Sequence, residues 1–194
     1  DFSSIITMTD KDGDVASGAA SGKFTIGVTD DVPIKLDNAT PISGTVKESG
    51  MAVADGDFST GNRDHGETSS SDEVSGVAGS LNSLFAIGSD EPGVIGLSSD
   101  TSGLPTLYSQ GVAVSYSVLG NVLTASAHGN AVFTLTVGSD GSYVFDLKDQ
   151  LDHVAGSGEN SLLRTSVDGS TSVGSIDFSS IITMTDKDGD VASG

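Results

Sequence analysis

Between Val112 and Leu147, apolar and polar side chains alternate with a period of two. Turn-forming residues interrupt the alternation at Gly120-Asn121, at His128-Gly129-Asn130 and at positions 138–141. A period of two places successive side chains on opposite faces of a β-strand, and such turn residues join adjacent strands. The segment therefore predicts a four-stranded antiparallel meander. Its strands are Val112–Val118, Val122–Ala127, Ala131–Val137 and Tyr143–Leu147.

Strand signals also dominate the rest of the chain, and helical periodicity is almost absent. Ser80–Ala86 is compatible with either a short helix or a strand. This pattern is typical of an all-β protein, and we expect an antiparallel β-sandwich. The further predicted strands are Phe2–Thr9, Phe24–Thr29, Gly44–Lys47, Val74–Gly79, Val94–Leu97, Leu162–Val167 and Phe178–Thr185.

The first eighteen residues, DFSSIITMTDKDGDVASG, recur letter for letter at positions 177–194. Chance does not produce such a match in a chain of 194 residues. We therefore expect one period of a tandem array plus a short overlap. Near-identical repeats suit functions in which length, stiffness or copy number matters, so the repeat indicates a structural module with copies of itself as neighbours.

A boundary between modules is expected at Val32-Pro33, because proline cannot donate to a β-ladder and stiffens the exit from a strand. On this interpretation residues 1–32 are the C-terminal hairpin and linker of a preceding repeat. Residues 33–194 are then one sandwich module without its final strand. The module includes a long loop at residues 48–73 that is rich in Gly, Ser and acidic residues. Loops of this length are usually functional or mobile, and we expect this one to be mobile.

The strand predicted at Phe178–Thr185 lacks a following counterpart of Phe24–Thr29. An unpaired strand edge tends to recruit another strand. We therefore expect the truncated hairpin to be frayed, or to pair with the N-terminal hairpin in cis or by strand exchange between molecules.

The chain carries 27 acidic and 8 basic residues, for a net charge of −19. Such a surface repels nucleic acid and anionic lipid, so neither is an expected partner. Clustered carboxylates oppose compaction unless cations lie among them, and a hard divalent cation, Ca²⁺, is the expected cofactor. The absence of cysteine together with this acidity favours an extracellular protein, and no apolar run approaches the length of a membrane span.

Three groups of acidic residues are candidate calcium ligands. The first is the motif Asp-Lys-Asp-Gly-Asp, whose carboxylates at alternate positions converge if the chain curls at its glycine. It is not an EF-hand, since Val15 and Ser21 stand where that loop needs Gly and Glu. A solvated acidic loop without an ion is the alternative. The motif comprises Asp10, Asp12 and Asp14, and its copy comprises Asp186, Asp188 and Asp190.

The second group is Asp30 and Asp31, which directly precede Val32-Pro33 and resemble the junctions of cadherin-like repeats. A simple polar linker is the alternative there. The third group lies in a glycine-rich loop and supplies oxygen donors, with calcium and plain turn chemistry equally favoured. Its members are Asp149, Asp152, Glu159 and Asn160.

We expect no enzymatic activity. The chain has no Cys, and its three histidines (His65, His128 and His153) lie far apart in predicted loops. The nucleophile-elbow, zinc-protease and phosphate-binding motifs are absent.

Several short motifs follow one another in an order specific to one family. They are Gly44-Thr45-Val46 with Glu48, Ser80-Leu81 with Leu84-Phe85, Leu97-Ser98 through Ser102-Gly103-Leu104-Pro105, Val114-Ser115-Tyr116, Leu123-Thr124-Ala125, positions 132–137, Gly141-Ser142-Tyr143, Leu151-Asp152-His153, Gly158-Glu159-Asn160, Asp10 through Asp14, and Phe24-Thr25-Ile26 through Pro33.

In these motifs the chain resembles the tandem extender repeats of giant RTX adhesins that bacteria export by type I secretion. The resemblance implies an immunoglobulin-like β-sandwich, calcium that stiffens modules and junctions, and a stalk that projects a ligand-binding tip from a Gram-negative cell surface. A calcium-dependent ligand-binding module of the same adhesin, lectin-like or surface-binding, is the alternative.

Overall fold

A computed structural model describes residues 1–63, 66–156, 159 and 161–194 of the chain. These residues form two compact units, Asp1–Asp31 and Val32–Gly194. The described residues contain short 3₁₀ turns but no α-helix, and every strand pairing is antiparallel. The predicted all-β class is confirmed at this level.

The first unit is built around a small hairpin. A 3₁₀ turn at Ser3–Ile5 leads into β1 (Thr7–Thr9), which pairs with β2 (Val15–Ser17). The sequence predicted one continuous strand over Phe2–Thr9 and no strand at Val15–Ser17. The 3₁₀ turn and the hairpin correct both assignments.

Residues 19–24 pack back onto the start of the first unit. Ser3 is buried, and its Oγ accepts hydrogen bonds from the backbone N–H groups of Lys23 (3.1 Å) and Phe24 (2.9 Å). The rings of Phe2 and Phe24 lie 5.8 Å apart. The predicted strand Phe24–Thr29 is wrong, because among the described residues of this unit no strand forms a ladder with it, and a strand requires a partner.

The described residues of the second unit form fourteen strands. In chain order they are β3 (Ile34–Lys35), β4 (Glu73–Gly76), β5 (Phe85–Ala86), β6 (Val94–Leu97), β7 (Tyr108–Ser109), β8 (Val112–Ala113), β9 (Ser115–Leu119), β10 (Val122–Ala127), β11 (Asn130–Val137), β12 (Tyr143–Leu147), β13 (Leu163–Arg164), β14 (Ser172–Val173), β15 (Ile182–Thr185) and β16 (Val191–Ser193). Short 3₁₀ turns occur at Glu48–Gly50, Val53–Asp55, Leu81–Leu84 and Ser179–Ile181.

The largest sheet has five strands in the order β4-β12-β11-β10-β9, and β9 to β12 form the predicted meander. Ala127 pairs with Asn130 across a two-residue loop in which His128 (φ 53°) and Gly129 (φ 83°) both have positive φ. Such loops match the twist of the strands they join. The first predicted strand, Val112–Val118, is interrupted at Val114, and β8 pairs with β7 instead.

A second sheet has three strands in the order β16-β15-β6. The strand β15 lies in the middle, with Met184 opposite Ile95 on one side and opposite Ala192 on the other. All three side chains are buried. The predicted strand Val94–Leu97 is confirmed as β6.

An aromatic cluster joins the five-stranded sheet to the segment that leads into β15. Phe133 on β11 and Phe145 on β12 have ring centroids 5.0 Å apart, and Phe178 lies 6.1 Å from the first and 5.9 Å from the second. Aromatic rings bury large apolar areas, so such a cluster contributes strongly to the stability of a core. The β-hairpin at residues 182–193 is thereby part of the main core.

Several shorter predictions need correction. Gly44–Lys47 is not a strand: a Cβ at Gly44 would lie 2.5 Å from Val74, so this segment packs its backbone directly on a side chain. Within Leu162–Val167 only Leu163–Arg164 is a strand, and within Val74–Gly79 the strand ends at Gly76. Ser80–Ala86 adopts both structures left open, a 3₁₀ turn followed by β5.

The described part of the loop at residues 48–73 is packed against the rest of the second unit. Met51 is buried, Phe58 donates its backbone N–H to Lys148 O (2.7 Å), and Asp72 is buried at the end of the loop. The expectation of a mobile loop took no account of this apolar anchor.

Candidate metal centre

Both copies of the Asp-Lys-Asp-Gly-Asp motif form the same hairpin loop. In the first copy Asp10 Oδ1 accepts hydrogen bonds from the backbone N–H groups of Gly13 (3.1 Å) and Asp14 (2.9 Å). In the second copy Asp186 Oδ1 accepts them from Gly189 (3.0 Å) and Asp190 (2.8 Å). The first carboxylate thus organises the loop locally, as aspartate does in turns.

In the first unit the carboxylates of Asp10, Asp12 and Asp14 each place an oxygen within 4.8 Å of the others. All three residues are exposed. The pKa of Asp10 is lowered, chiefly by a hydrogen bond with the Asp12 carboxyl and then by the backbone N–H of Asp14. Water can solvate this group fully, so its geometry alone does not distinguish a cation site from a solvated acidic loop.

In the second unit the corresponding loop meets a further acid. Asp90, Asp186 and Asp188 each place a carboxylate oxygen within 4.8 Å of the others. Lys187 donates its backbone N–H to Asp90 O (3.0 Å), which attaches the loop to the segment preceding β6. The pairing of β15 with β6 therefore brings together acids from two distant parts of the sequence.

Asp186 differs from its copy Asp10 in burial. Asp186 is 5% exposed, and among the described residues its Oδ2 has no hydrogen-bond partner. A buried carboxylate oxygen without a donor is unfavourable by about 1–3 kcal/mol or more, because its desolvation is not compensated. This oxygen therefore calls for a ligand that supplies positive charge.

Asp186 carries its negative charge at neutral pH. Burial raises its pKa, but hydrogen bonds with the Asp188 carboxyl and from the backbone N–H groups of Asp190 and Gly189 outweigh that effect and hold the pKa below the ordinary aspartate value. Carboxylates whose oxygens lie within 4.8 Å of one another repel each other when they are ionised. A cation among them would remove this repulsion.

The donor set fits a hard divalent cation. Calcium binds six to eight oxygen ligands and accepts carboxylates, backbone carbonyls and water together, whereas zinc and copper sites use histidine or cysteine. Asp90, Asp186 and Asp188 would provide carboxylate oxygens for such an ion. The residues present therefore fit calcium.

Asp90 is not among the ligands predicted from the sequence. Its role becomes visible only through the register of β6 against β15, in which Val94 lies opposite Thr185. The one local signal was its position a few residues before a predicted strand.

The remaining predicted ligands have other surroundings. Asp190 shapes its loop through the backbone, with its O accepting a hydrogen bond from Asp186 N (3.0 Å). Asp30 Oδ1 accepts a hydrogen bond from the N–H of Asp31 (3.1 Å), and within residues 1–31 no group of three acids includes either.

Asp149, Asp152 and Glu159 do not converge on one point among the described residues. Asp149 is buried and accepts hydrogen bonds from Ser59 Oγ and from the backbone N–H of Gln150. Asp152 accepts one from Gly111 N (2.8 Å). Glu159 lies 3.7 Å from Lys47 Nζ. Asn160 and His65 are outside the described residues.

A second acidic cluster was not anticipated. Lys148 Nζ lies 3.4 Å from Asp57 Oδ1 and 2.7 Å from Asp146 Oδ2, and Asp72 interacts with both of these acids. Burial, followed by interactions with Asp57 and Asp146, raises the pKa of Asp72 to about 6. Here a lysine already supplies the counter-charge, so the cluster is an internal ion-pair network.

No family model, curated protein or solved structure matches this chain. Among the described residues no helix has the length and apolar character needed to cross a membrane. The functional conclusion therefore rests on the geometry of the molecule and on the sequence resemblance.

Proposed function

We propose that this chain is a calcium-stabilised structural spacer module from a long bacterial surface adhesin. The observation that carries the proposal is the buried Asp186 Oδ2, which has no hydrogen-bond partner among the described residues and belongs to a group with Asp90 and Asp188. The tandem organisation and the immunoglobulin-like sandwich are part of the proposal, and the repeated eighteen residues together with the resemblance to RTX extender repeats support them.

Calcium in this group would join two segments of the second unit. Asp186 and Asp188 lie on the loop between β15 and β16, whereas Asp90 precedes β6. An ion bound to all three would hold the hairpin against the neighbouring strand and offset the mutual repulsion of the acids. Without calcium the same charges would loosen this edge of the sheet, which suits a protein that is exported unfolded and becomes rigid outside the cell.

The magnitude follows from ligand linkage. Extracellular calcium modules bind with dissociation constants of about 10⁻⁴–10⁻³ M. At about 10 mM calcium the folded state would gain about 1.4–2.7 kcal/mol. For a unit of this size that gain raises the melting temperature by about 3–10 °C.

The test compares melting temperatures in calcium and in EDTA for the unchanged chain, Asp90→Asn, Asp188→Asn and Asp12→Asn. We expect EDTA to lower the melting temperature of the unchanged chain. Asp90→Asn and Asp188→Asn should remove most of that calcium dependence, because each deletes a ligand charge. Asp12→Asn is the matched control, since Asp12 has the same sequence neighbours as Asp188 but lies in the exposed group.

The comparison also has a clear negative outcome. If the unchanged chain melts at the same temperature in calcium and in EDTA, calcium does not stabilise it and the proposal fails. If Asp12→Asn reduces the calcium dependence of the main transition as strongly as Asp188→Asn, the site lies elsewhere.

A further inference from the structure

The two copies of the eighteen-residue sequence have the same local structure. A 3₁₀ turn occupies Ser3–Ile5 in one and Ser179–Ile181 in the other. The hairpin register is also the same, with Met8 opposite Ala16 and Met184 opposite Ala192. Short-range interactions therefore specify this hairpin wherever it lies in the chain.

The surroundings of the two copies are opposite. Ile181 is 0% exposed and Met184 is 2% exposed, whereas Ile5 is 72% exposed and Met8 is 74% exposed. The same apolar side chains are thus core residues in the second unit and surface residues in the first. An exposed apolar face of this kind indicates a binding surface.

The second unit shows what covers this face. There β15 pairs along one edge with β6, so that Met184 lies opposite Ile95, and Phe178 packs on Phe133. In the first unit β1 pairs with β2 alone among the described residues, which leaves its other edge open. An open strand edge beside an apolar face is a template for another strand.

We propose that residues 1–18 of this chain bind a second copy of the chain, where they take the place of its residues 177–194 beside β6. The groove beside β6 is the site that residues 177–194 occupy in the structure. It therefore already accommodates this sequence, and residues 1–18 are identical to residues 177–194 at all eighteen positions. The contact joins one end of a molecule to the groove of the next, so it can propagate head to tail.

In the exchange, each contact of residues 177–194 is replaced by the same contact of residues 1–18 from another molecule. The free energy of the exchange is therefore close to zero, apart from the entropy lost on association. A tethered segment competes at an effective concentration of the order of millimolar. The closed monomer therefore predominates at micromolar concentrations, and exchanged species grow as the protein approaches millimolar concentration. Weakening only the tethered copy shifts the balance toward exchange. No metal is needed for this argument, so it stands apart from the proposed function.

A disulfide can trap the exchanged register. Thr185 lies opposite Val94 in the structure, and Thr9 is the copy of Thr185. Directly opposed residues of antiparallel strands have Cα atoms about 4.5–5.5 Å apart, within the range that a disulfide bridges. The chain contains no cysteine, so Thr9→Cys with Val94→Cys gives one defined pair.

The decisive variant adds Met184→Asp, which places a charge in the core position of the tethered copy. After mild oxidation we expect disulfide-linked dimers and higher species on a non-reducing gel, in amounts that increase with protein concentration. Adding Met8→Asp, the same substitution in the other copy, should abolish them. Linked species that persist with Met8→Asp, or a disulfide within one molecule, would overturn the proposal.

The same cysteine pair without Met184→Asp covers the case in which that substitution prevents folding. Oxidation of this chain over a range from about 10 μM to about 1 mM should give a linked fraction that rises with concentration, as expected for an intermolecular contact that competes with a tethered segment. No linked species at the highest concentration would also overturn the proposal.

Discussion

The duplicated sequence allows one substitution to be made twice in identical sequence neighbours. Ile181→Ala removes three carbon atoms from a side chain that is fully buried, whereas Ile5→Ala removes them from one that is 72% exposed. At about 0.8 kcal/mol per buried carbon, Ile181→Ala loses about 2.4 kcal/mol of transfer free energy. The cavity left behind brings the total to about 2–5 kcal/mol.

For Ile5 roughly a quarter of the side chain is buried, so the same calculation gives about 0.6 kcal/mol. Urea denaturation followed by circular dichroism at micromolar concentration measures both losses. With a slope of about 2 kcal/mol per molar, Ile181→Ala should lower the midpoint of the main transition by about 1–2.5 M. Ile5→Ala should lower it by about 0.3 M or less. Equal shifts for the two variants would refute the assignment of the second copy to the core.

Two further predictions concern charge and backbone geometry. Burial raises the pKa of Asp72 to about 6, so the folded state holds a proton that the unfolded state releases. The contribution of this group to stability is therefore complete below about pH 4 and is lost as the pH rises through 6. Asp72→Asn should therefore flatten the pH dependence of the melting temperature between pH 4 and 6, and it should stabilise the protein by about 1–3 kcal/mol at pH 7. A pH profile of the variant that runs parallel to that of the unchanged chain would contradict this. Gly189 has φ 109°, which a residue with a Cβ rarely adopts, so Gly189→Ala should cost about 1–3 kcal/mol in thermal unfolding of the second unit. Gly13→Ala, its counterpart at φ 101°, should leave that transition unchanged, and an equal effect of the two would argue against the division into units.

The meander was predictable because its information is local. Alternating side chains between Val122 and Leu147 define the faces of the strands, and pairs such as His128-Gly129 favour tight turns. Each of these strands also finds its partner next in the sequence. Local patterns therefore suffice for both the strands and their order.

Predictions failed where the outcome depends on distant residues. Phe24–Thr29 has the composition of a strand, but strand formation requires a partner, and the first unit offers none among its described residues. Gly44–Lys47 packs on Val74 and so does not join a ladder. Sequence patterns describe what a segment prefers, not which neighbour it meets.

The candidate site shows the same limit. The acids of the Asp-Lys-Asp-Gly-Asp motif were identified from their spacing, but that spacing is the same in both copies. Asp186 is buried and Asp10 is exposed only because of what packs around them. Asp90 could not be assigned before the pairing of β6 with β15 was known.

The two largest sheets among the described residues of the second unit differ in the length of chain that separates paired strands. Strands β9 to β12 pair with sequence neighbours, whereas Ile182 pairs with Leu97, and the whole meander lies between them. Closing so long a loop in an unfolded chain is slow, but collapse of the meander shortens the loop beforehand. Folding should therefore begin in the five-stranded sheet. It should finish when the hairpin of β15 and β16, already formed, docks beside β6.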